Sequence, residues 1–301
     1  MDTNNFFTLL SDSIVNAVES ASASTVLVNS RRRFPASGLA YRPDLVLTAD
    51  HVIENEDDIL VLDAAQRPHK AVLAGRDPGS DLALLRLEGP VLTAFQPCTK
   101  EARIGQLALA LGRPSPEQVQ ISLGAISAMG GPVRNGRGGL LEKYLQAEVN
   151  PQPGFSGGPL VDTEGQLLGI NTSGIAGGIL LTIPLAIAWA TAEALALHGR
   201  ILHGYLGIRS QPVKLPDSAA AVLGRGQQTG LLLIGLEDDG PAVKSGLMVG
   251  DILVALNANP LADPDDLWMQ LAGKWVGQNV PLEILRAGQK EVIMVLVAER
   301  K

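Results

Sequence analysis

Cysteine is almost missing from this sequence, with Cys98 the one thiol in 301 residues. No disulfide can therefore close within the chain, and any stability must come from an apolar core. A lone thiol and four scattered histidines offer no ligand spacing for zinc. No cofactor fingerprint occurs either, so neither metal nor cofactor is expected. Cys98 itself is expected to be a small packed residue. Positive charge is also short: the formal net charge is −7. Arg31-Arg32-Arg33 is the one compact basic run, which argues against nucleic-acid binding. That run reads as a solvated loop between strands, with a contact to a neighbouring subunit or acidic partner as the alternative. The N-terminus, Met1-Asp2-Thr3-Asn4-Asn5-Phe6-Phe7, lacks the positive region of a secretory signal. The expectation is a cytoplasmic protein, or a periplasmic or exported one if a leader is missing from this chain.

A membrane span is lacking as well. Thr172 to Ala192 runs without a charge for about the 20 residues a span needs. Gly174, Gly177, Gly178 and Pro184 interrupt it. A strand over Ile179–Ile183 followed by a helix from Pro184 fits better, because proline suits a first helical turn and Gly199 can end the helix. Leu185, Trp189, Ala192 and Ala196 then share one face.

What the sequence does have is glycine and proline, 33 and 19 residues, with 46% apolar residues. That composition suits short strands and turns. Residues 8–20 read as a short amphipathic helix with Leu10, Ile14 and Val18 on one face. From Ser24 to about Ile183 short apolar runs such as Thr25–Val28, Ile59–Leu62 and Leu107–Leu111 alternate with turns, the pattern of barrels or a sandwich. Gly130 to Gly139 reads as a glycine-rich, flexible loop that either gates a site or is a plain surface loop. Beyond a junction at Gly199–Gly204, further strands surround two short helices, one at Gly240–Leu247 and one opened by Asp263-Pro264-Asp265-Asp266.

The chemistry concentrates in three places. Ser156 sits in Gly154-Phe155-Ser156-Gly157-Gly158-Pro159-Leu160, His51 in Leu47-Thr48-Ala49-Asp50-His51-Val52, and Asp81 opens Asp81-Leu82-Ala83-Leu84-Leu85. A serine hydroxyl is a weak nucleophile; an imidazole must take its proton, and a carboxylate must hold the imidazole in its tautomer. Flanking glycines let the backbone turn and aim N–H groups at a developing oxyanion. Gly154–Gly158 also satisfies the nucleophile elbow of α/β-hydrolases. That elbow needs a helix after the serine and a later acid and histidine. Here strand, turn and strand follow, and the downstream histidines, His198 and His203, lie at the junction.

These motifs resemble the HtrA/Deg family of serine proteases over nearly the whole chain. Ser37-Gly38 and Leu45–Val52 are similar to the segment that carries the family's base, Asp81-Leu82-Ala83 to its acid, and Gly154–Leu160 with Leu168–Thr172 to its nucleophile loop and the strand behind it. Gly204-Tyr205-Leu206-Gly207-Ile208 is similar to the start of its PDZ domain. The resemblance implies a mainly β protein: a chymotrypsin-like double β-barrel over 1–200, with an N-terminal helical or oligomerisation segment at 1–23, and a PDZ domain over 201–301. It implies His51 as general base, Asp81 as orienter, Ser156 as nucleophile, and the Gly154 and Ser156 N–H groups as the oxyanion hole. It also implies a PDZ groove in which N–H groups of Leu206, Gly207 and Ile208, beside Tyr205, hold a C-terminal carboxylate over Leu267 and Leu271. A homotrimer or higher multiple is a further implication, with Phe6 and Phe7 as candidate contact residues; the alternative is that they simply pack on the first helix. Three residues depart from the family pattern: Phe155 stands where Asn is usual, Asp50 where a neutral residue is common, and Glu148 replaces an Asp.

The functional expectation is a serine endopeptidase for unfolded or damaged polypeptides, regulated or fed by C-termini bound at the PDZ half. The strand Ile179-Leu180-Leu181-Thr182 would line the substrate pocket. It contains no acid to pair a buried Lys or Arg, so an aliphatic side chain is favoured. The alternative from another class is a chaperone or adaptor that binds C-termini with a latent protease site. An esterase would share the acyl chemistry but leave the second half without a purpose.

Overall fold

The computed structural model describes residues 3–31, 34–97, 101–136, 139–271 and 273–299. Cys98, Arg32 and Arg33 lie outside these. The chain divides into two compact units, one ending at Ile201 and the other starting at Leu202.

The first unit opens with helix α1 (Thr3–Ser22), longer at both ends than the sequence pattern indicated. Its Ile14, Ala17, Val18 and Ala21 pack on the apolar core, and Ser13 Oγ donates to Thr163 O at 2.7 Å. Six strands follow: β1 (Thr25–Asn29), β2 (Ala36–Arg42), β3 (Leu45–Ala49), β4 (Ile59–Leu62), β5 (Pro68–Asp77) and β6 (Leu82–Leu87). They close into a barrel in the order β1-β2-β3-β6-β5-β4, which leaves no open edge. The second barrel uses β7 (Leu107–Gly112), β8 (Gln120–Gly130), β11 (Tyr144–Ala147), β12 (Pro159–Asp162), β13 (Leu167–Ala176) and β14 (Ile179–Pro184). Its order is β11-β14-β13-β12-β7-β8. Between β8 and β11 a small ladder joins β9 (Val133–Arg134) and β10 (Leu140–Leu141).

That ladder changes the reading of the glycine-rich segment. Asn135 Nδ2 donates to Pro78 O at 2.7 Å and Gly79 O at 3.0 Å. The segment is thus tied to the turn that leads into Asp81 rather than swinging free; Arg137 and Gly138 lie outside the described residues. Each barrel has its own apolar centre. A third cluster, including Leu39, Leu47, Leu84, Leu109, Leu111 and Ile170, takes side chains from both barrels and holds their facing walls together. Helix α2 (Leu185–His198) covers it, beginning after Pro184 and ending at Gly199, whose φ is 71°. Ala188, Thr191, Ala192 and Leu195 are its buried residues. Leu185, Trp189 and Ala196 of the expected face also pack against the cluster, half-buried, so the fully buried stripe lies to one side of that face and shares Ala192 with it.

The second unit is a sheet of β16 (Ile208–Lys214), β17 (Thr229–Leu236), β18 (Ile252–Leu256), β20 (Asn279–Arg286) and β21 (Gln289–Leu296), with β19 (Asn259–Pro260) pairing β18. A separate ladder joins β15 (Gly204–Tyr205) to β22 (Ala298–Glu299). Helices α3 (Asp217–Leu223), α4 (Pro241–Lys244) and α5 (Pro264–Gln270) complete it. Helix α3 is not among the elements expected from the sequence pattern. Helix α5 starts with a capping box: Asp263 accepts from the Asp265 and Asp266 N–H groups, and Asp266 reaches back to the Asp263 N–H. Among the described residues no helix is long and apolar enough to cross a membrane.

Candidate active site

The site forms where the two barrels meet. His51 rides on one turn of 3-10 helix (Asp50–Val52) directly after β3. Asp81 stands at the entry to β6 with φ 57°, a left-handed conformation that Asp tolerates better than most residues. This geometry lets one residue hold the turn three ways. Asp81 O accepts the Asp50 N–H at 2.9 Å, Oδ1 accepts the His51 N–H at 2.9 Å, and Oδ2 faces His51 Nδ1 at 2.7 Å. Thr172 Oγ1 also donates to Asp81 Oδ2 and accepts the Gly174 N–H at 3.0 Å. Nδ1 is thereby committed to the carboxylate, and Nε2 is the ring nitrogen left for proton transfer.

Asp50, one of the three departures named above, is fully buried and accepts from Arg76 Nε at 2.6 Å. The hydrogen bond that Arg76 donates to Asp50 is the main reason Arg76 holds its proton more tightly than an ordinary guanidinium. Arg76 Nη1 continues to Glu56 Oε1 at 2.5 Å, so an ion-paired network stands behind the histidine turn. Arg31 is half-buried rather than solvated. Burial lowers its pKa, offset in part by Glu54 and Asp81, and its buried Nε has no hydrogen-bond partner among the described residues.

Ser156 comes from the other barrel, on the loop before β12. Phe155 N–H donates to Gln152 O at 3.2 Å, with Pro153 second and Gly154 third at φ 93°. That is the signature of a type II turn, in which glycine is the residue able to take the third position without strain. Ser37 Oγ donates to Gly154 O at 2.6 Å, Ser37 N–H donates to Ser156 O at 3.1 Å, and the Gly157 N–H donates to Asn171 O at 2.8 Å. Among the described residues, the N–H groups of Gly154 and Ser156 donate to none. The Ser156 hydroxyl lies 3.0 Å from Ser173 Oγ and accepts the Ser173 N–H at 3.3 Å. No hydrogen bond joins it to His51 among the described residues.

The structure therefore brings His51, Asp81 and Ser156 to one junction from sequence positions far apart. It also brings three residues that the sequence reading had not placed there: Ser173, Gly174 and Arg76. The pocket residues stand differently. Ile179 is 55% exposed, whereas Leu180 and Leu181 are spent in separate apolar clusters. Thr182 Oγ1 is bound to Asn171 Oδ1 at 2.9 Å. Of the four, Ile179 alone offers a largely open side chain.

In the second unit Gly207 has φ 72°. Leu206 O and Gly207 O accept the N–H groups of Ala242 and Glu237, both at 2.9 Å. Those bonds turn the loop so that, among the described residues, the Leu206 and Gly207 N–H groups donate to none. Tyr205 Oη donates to Glu237 Oε2. Leu206, Leu267 and Leu271 share one buried cluster beneath. Among the described residues no group of three or more His, Cys, Asp or Glu side chains is gathered as a metal site.

Residues 36–170 match the trypsin-like peptidase domain and residues 204–297 the PDZ domain. A probable periplasmic serine endoprotease, DegP-like, from Pseudomonas fluorescens is 34% identical over 260 residues, covering 84% of this chain and 53% of that protein. A protein of the same description from Brucella suis is 32% identical over 262 residues, covering 84% of this chain and 50% of its own. The chain spans about half the length of these curated relatives. Among solved structures, the HtrA-type protease AlgW with a tripeptide is 31% identical at TM-score 0.78, covering 96% of this chain and 97% of that one. The serine endoprotease from Yersinia pestis is 30% identical at TM-score 0.74, covering 96% and 98%. With two closed barrels, a His–Asp pair facing a serine loop, and a following PDZ unit, this protein belongs to the HtrA-type serine protease family.

Proposed function

We propose that this protein is a serine endopeptidase acting on unfolded polypeptides, and that its second unit binds polypeptide C-termini. The observation that carries the reading is the His51 Nδ1–Asp81 Oδ2 contact of 2.7 Å beside a serine on a glycine-shaped turn. The hydroxyl of Ser156 turns from Ser173 toward His51, which takes its proton as the oxygen attacks the scissile carbonyl. Asp81, held by Thr172 and by the His51 N–H, stabilises the imidazolium. The unengaged N–H groups of Gly154 and Ser156 receive the oxyanion, each worth about 3–4 kcal/mol of barrier. His51 returns the proton to the leaving amine, and water then releases the acyl group by the same steps reversed.

The unengaged N–H groups at Leu206 and Gly207 suit a terminal carboxylate, and Leu267 and Leu271 an apolar last side chain. AlgW was solved with a tripeptide and with a decapeptide, which supports a peptide ligand here. Phe6 and Phe7 are 60% and 65% exposed and adjacent, an apolar patch suited to subunit contact in a trimer. The relatives are named periplasmic, which favours the exported of the two compartments set out above. A binding protein with an idle triad is the second reading, favoured by the Ser156 hydroxyl resting on Ser173 rather than His51.

Cleavage of a reduced, unfolded protein by the wild type and by Ser156→Ala decides between them. Loss of cleavage with retained C-terminal peptide binding in the variant establishes the endopeptidase. No cleavage by either form, with peptide binding intact, establishes the binding protein.

A further inference from the structure

The loop that presents Ser156 is anchored by an apolar side chain. Phe155 is 1% exposed, and its ring sits in the centre of the second barrel among Ala108, Ala110, Ile126, Leu160 and Leu168. It lies between the two N–H groups assigned to the oxyanion. The floor beneath it is Gly112, the last residue of β7, paired with Gln120. A Cβ at position 112 would fall 2.5 Å from Phe155 Cδ1 and 3.1 Å from Phe155 Cα. Gly112 is not among the residues with positive φ. Its backbone does not call for glycine; the ring and main chain above it do.

We propose that Phe155 is a positioning residue, and that Gly112 is the matching space that lets its ring set the height and tilt of the oxyanion turn. The proposal rests on the endopeptidase reading for its kinetic consequence and on packing alone for its structural one. Polar restraints hold the two carbonyls that flank Phe155, through Ser37 Oγ to Gly154 O and Ser37 N–H to Ser156 O, while Asn171 O takes the Gly157 N–H farther along. The ring supplies an apolar restraint from inside the barrel. Because Phe155 donates its own N–H to Gln152 O and accepts the Gly158 N–H at 3.0 Å, a displaced ring carries the turn with it. Donors must lie within a few tenths of an ångström of the developing charge, so a shifted ring lowers the rate of chemistry more than it weakens substrate binding.

The test uses the full-length protein as wild type, Gly112→Ala, Phe155→Leu and the double variant, all read by peptide cleavage kinetics, hydrogen exchange of residues 152–158 and thermal unfolding. Gly112→Ala is expected to lower kcat by about ten- to a hundredfold, a fraction of one oxyanion donor's value, with KM within about twofold. Exchange at the Phe155, Gly157 and Gly158 amides should quicken. Phe155→Leu in the Gly112→Ala background makes room for the methyl group and should recover kcat and slow the exchange again. Wild-type kcat and protection in Gly112→Ala overturn the proposal. So does a fall in kcat with loop exchange unchanged, or a fall that the double variant does not relieve. If no form cleaves in a Ser156-dependent way, the endopeptidase reading fails by itself, and the rescue of exchange protection still decides whether the ring positions the turn.

Discussion

Gly174→Ala should disable this site through the addition of one methyl group. Gly174 lies in β13 where its pairing with β14 shifts register between Thr172 and Ala176, and it has no positive φ to protect. A Cβ there would fall 2.5 Å from Asp81 Oδ2 and 2.5 Å from His51 Nδ1, on the pair that is itself 2.7 Å apart. Carbon normally stays about 3.3–3.6 Å from such an oxygen. The carboxylate, the imidazole or the strand must therefore yield by nearly an ångström, and a misplacement of about 1 Å costs about a hundredfold in rate. The strand is bound through the Gly174 N–H to Thr172 Oγ1 and through Thr172 to Asp81, so the imidazole is the softer partner. We expect kcat to fall about a hundredfold with KM nearly unchanged, and stability to fall by the ~1–3 kcal/mol typical of overpacking. Cleavage of a short peptide gives the kinetic terms, and thermal unfolding in a Ser156→Ala background gives stability without self-digestion. A kcat within threefold of wild type would refute the reasoning, because it would mean the His–Asp contact can move without cost to the chemistry.

Two other variants have expected outcomes. Ser173→Ala removes the side-chain partner of the Ser156 hydroxyl and leaves the Ser173 N–H in place; one hydrogen bond is worth about 0.5–1.5 kcal/mol. Reaction of Ser156 with a fluorophosphonate should therefore quicken several-fold, whereas an unchanged rate would mean that Ser173 does not compete with His51. Asp63 concerns acid stability. Burial by itself would raise its pKa, but hydrogen bonds from His69, from the Arg67 N–H and side chain, and from the Ala65 N–H outweigh this and hold it at about 2, below the ordinary 3.8. A folded-state value below the unfolded one contributes stability above the unfolded pKa, which is lost as pH falls through the folded pKa. That is about 2 kcal/mol, lost between about pH 5 and pH 2. Asp63→Asn should lower stability at pH 7 and converge with wild type near pH 2 in urea titrations; a gap independent of pH would sink this account.

Much of the molecule was open to reading along the sequence. The string around Ser156, the order His51, Asp81, Ser156, the helix between Pro184 and Gly199, and the acid cap at Asp263 are local patterns. Turn chemistry, capping and strand alternation depend on neighbours in sequence, so they are visible there. Other readings missed because tertiary packing overrode local preference. The glycine-rich segment looked free until Asn135 tied it to Pro78 and Gly79. Arg31 looked solvated but is half-buried, with Asp81 and Glu54 among the charges that act on it. Strand alternation did not show that Leu180 and Leu181 would be consumed by two different apolar clusters.

The sequence by itself determined the chemistry available: one hydroxyl, one imidazole and one carboxylate in strand-bounded motifs, no thiol pair, and a second half that opens on a glycine-containing loop. The tertiary structure alone decided the geometry in which those groups meet. The meeting of the two barrels puts Thr172 and Gly174 of β13 against His51 and Asp81, and the closure of the second barrel puts Ser173 against Ser156 and Gly112 beneath Phe155. A glycine kept for the space it leaves, unlike one kept for its φ, has no signature along the sequence. Its reason is an atom contributed by a residue distant in sequence, and that atom arrives only when the sheets close.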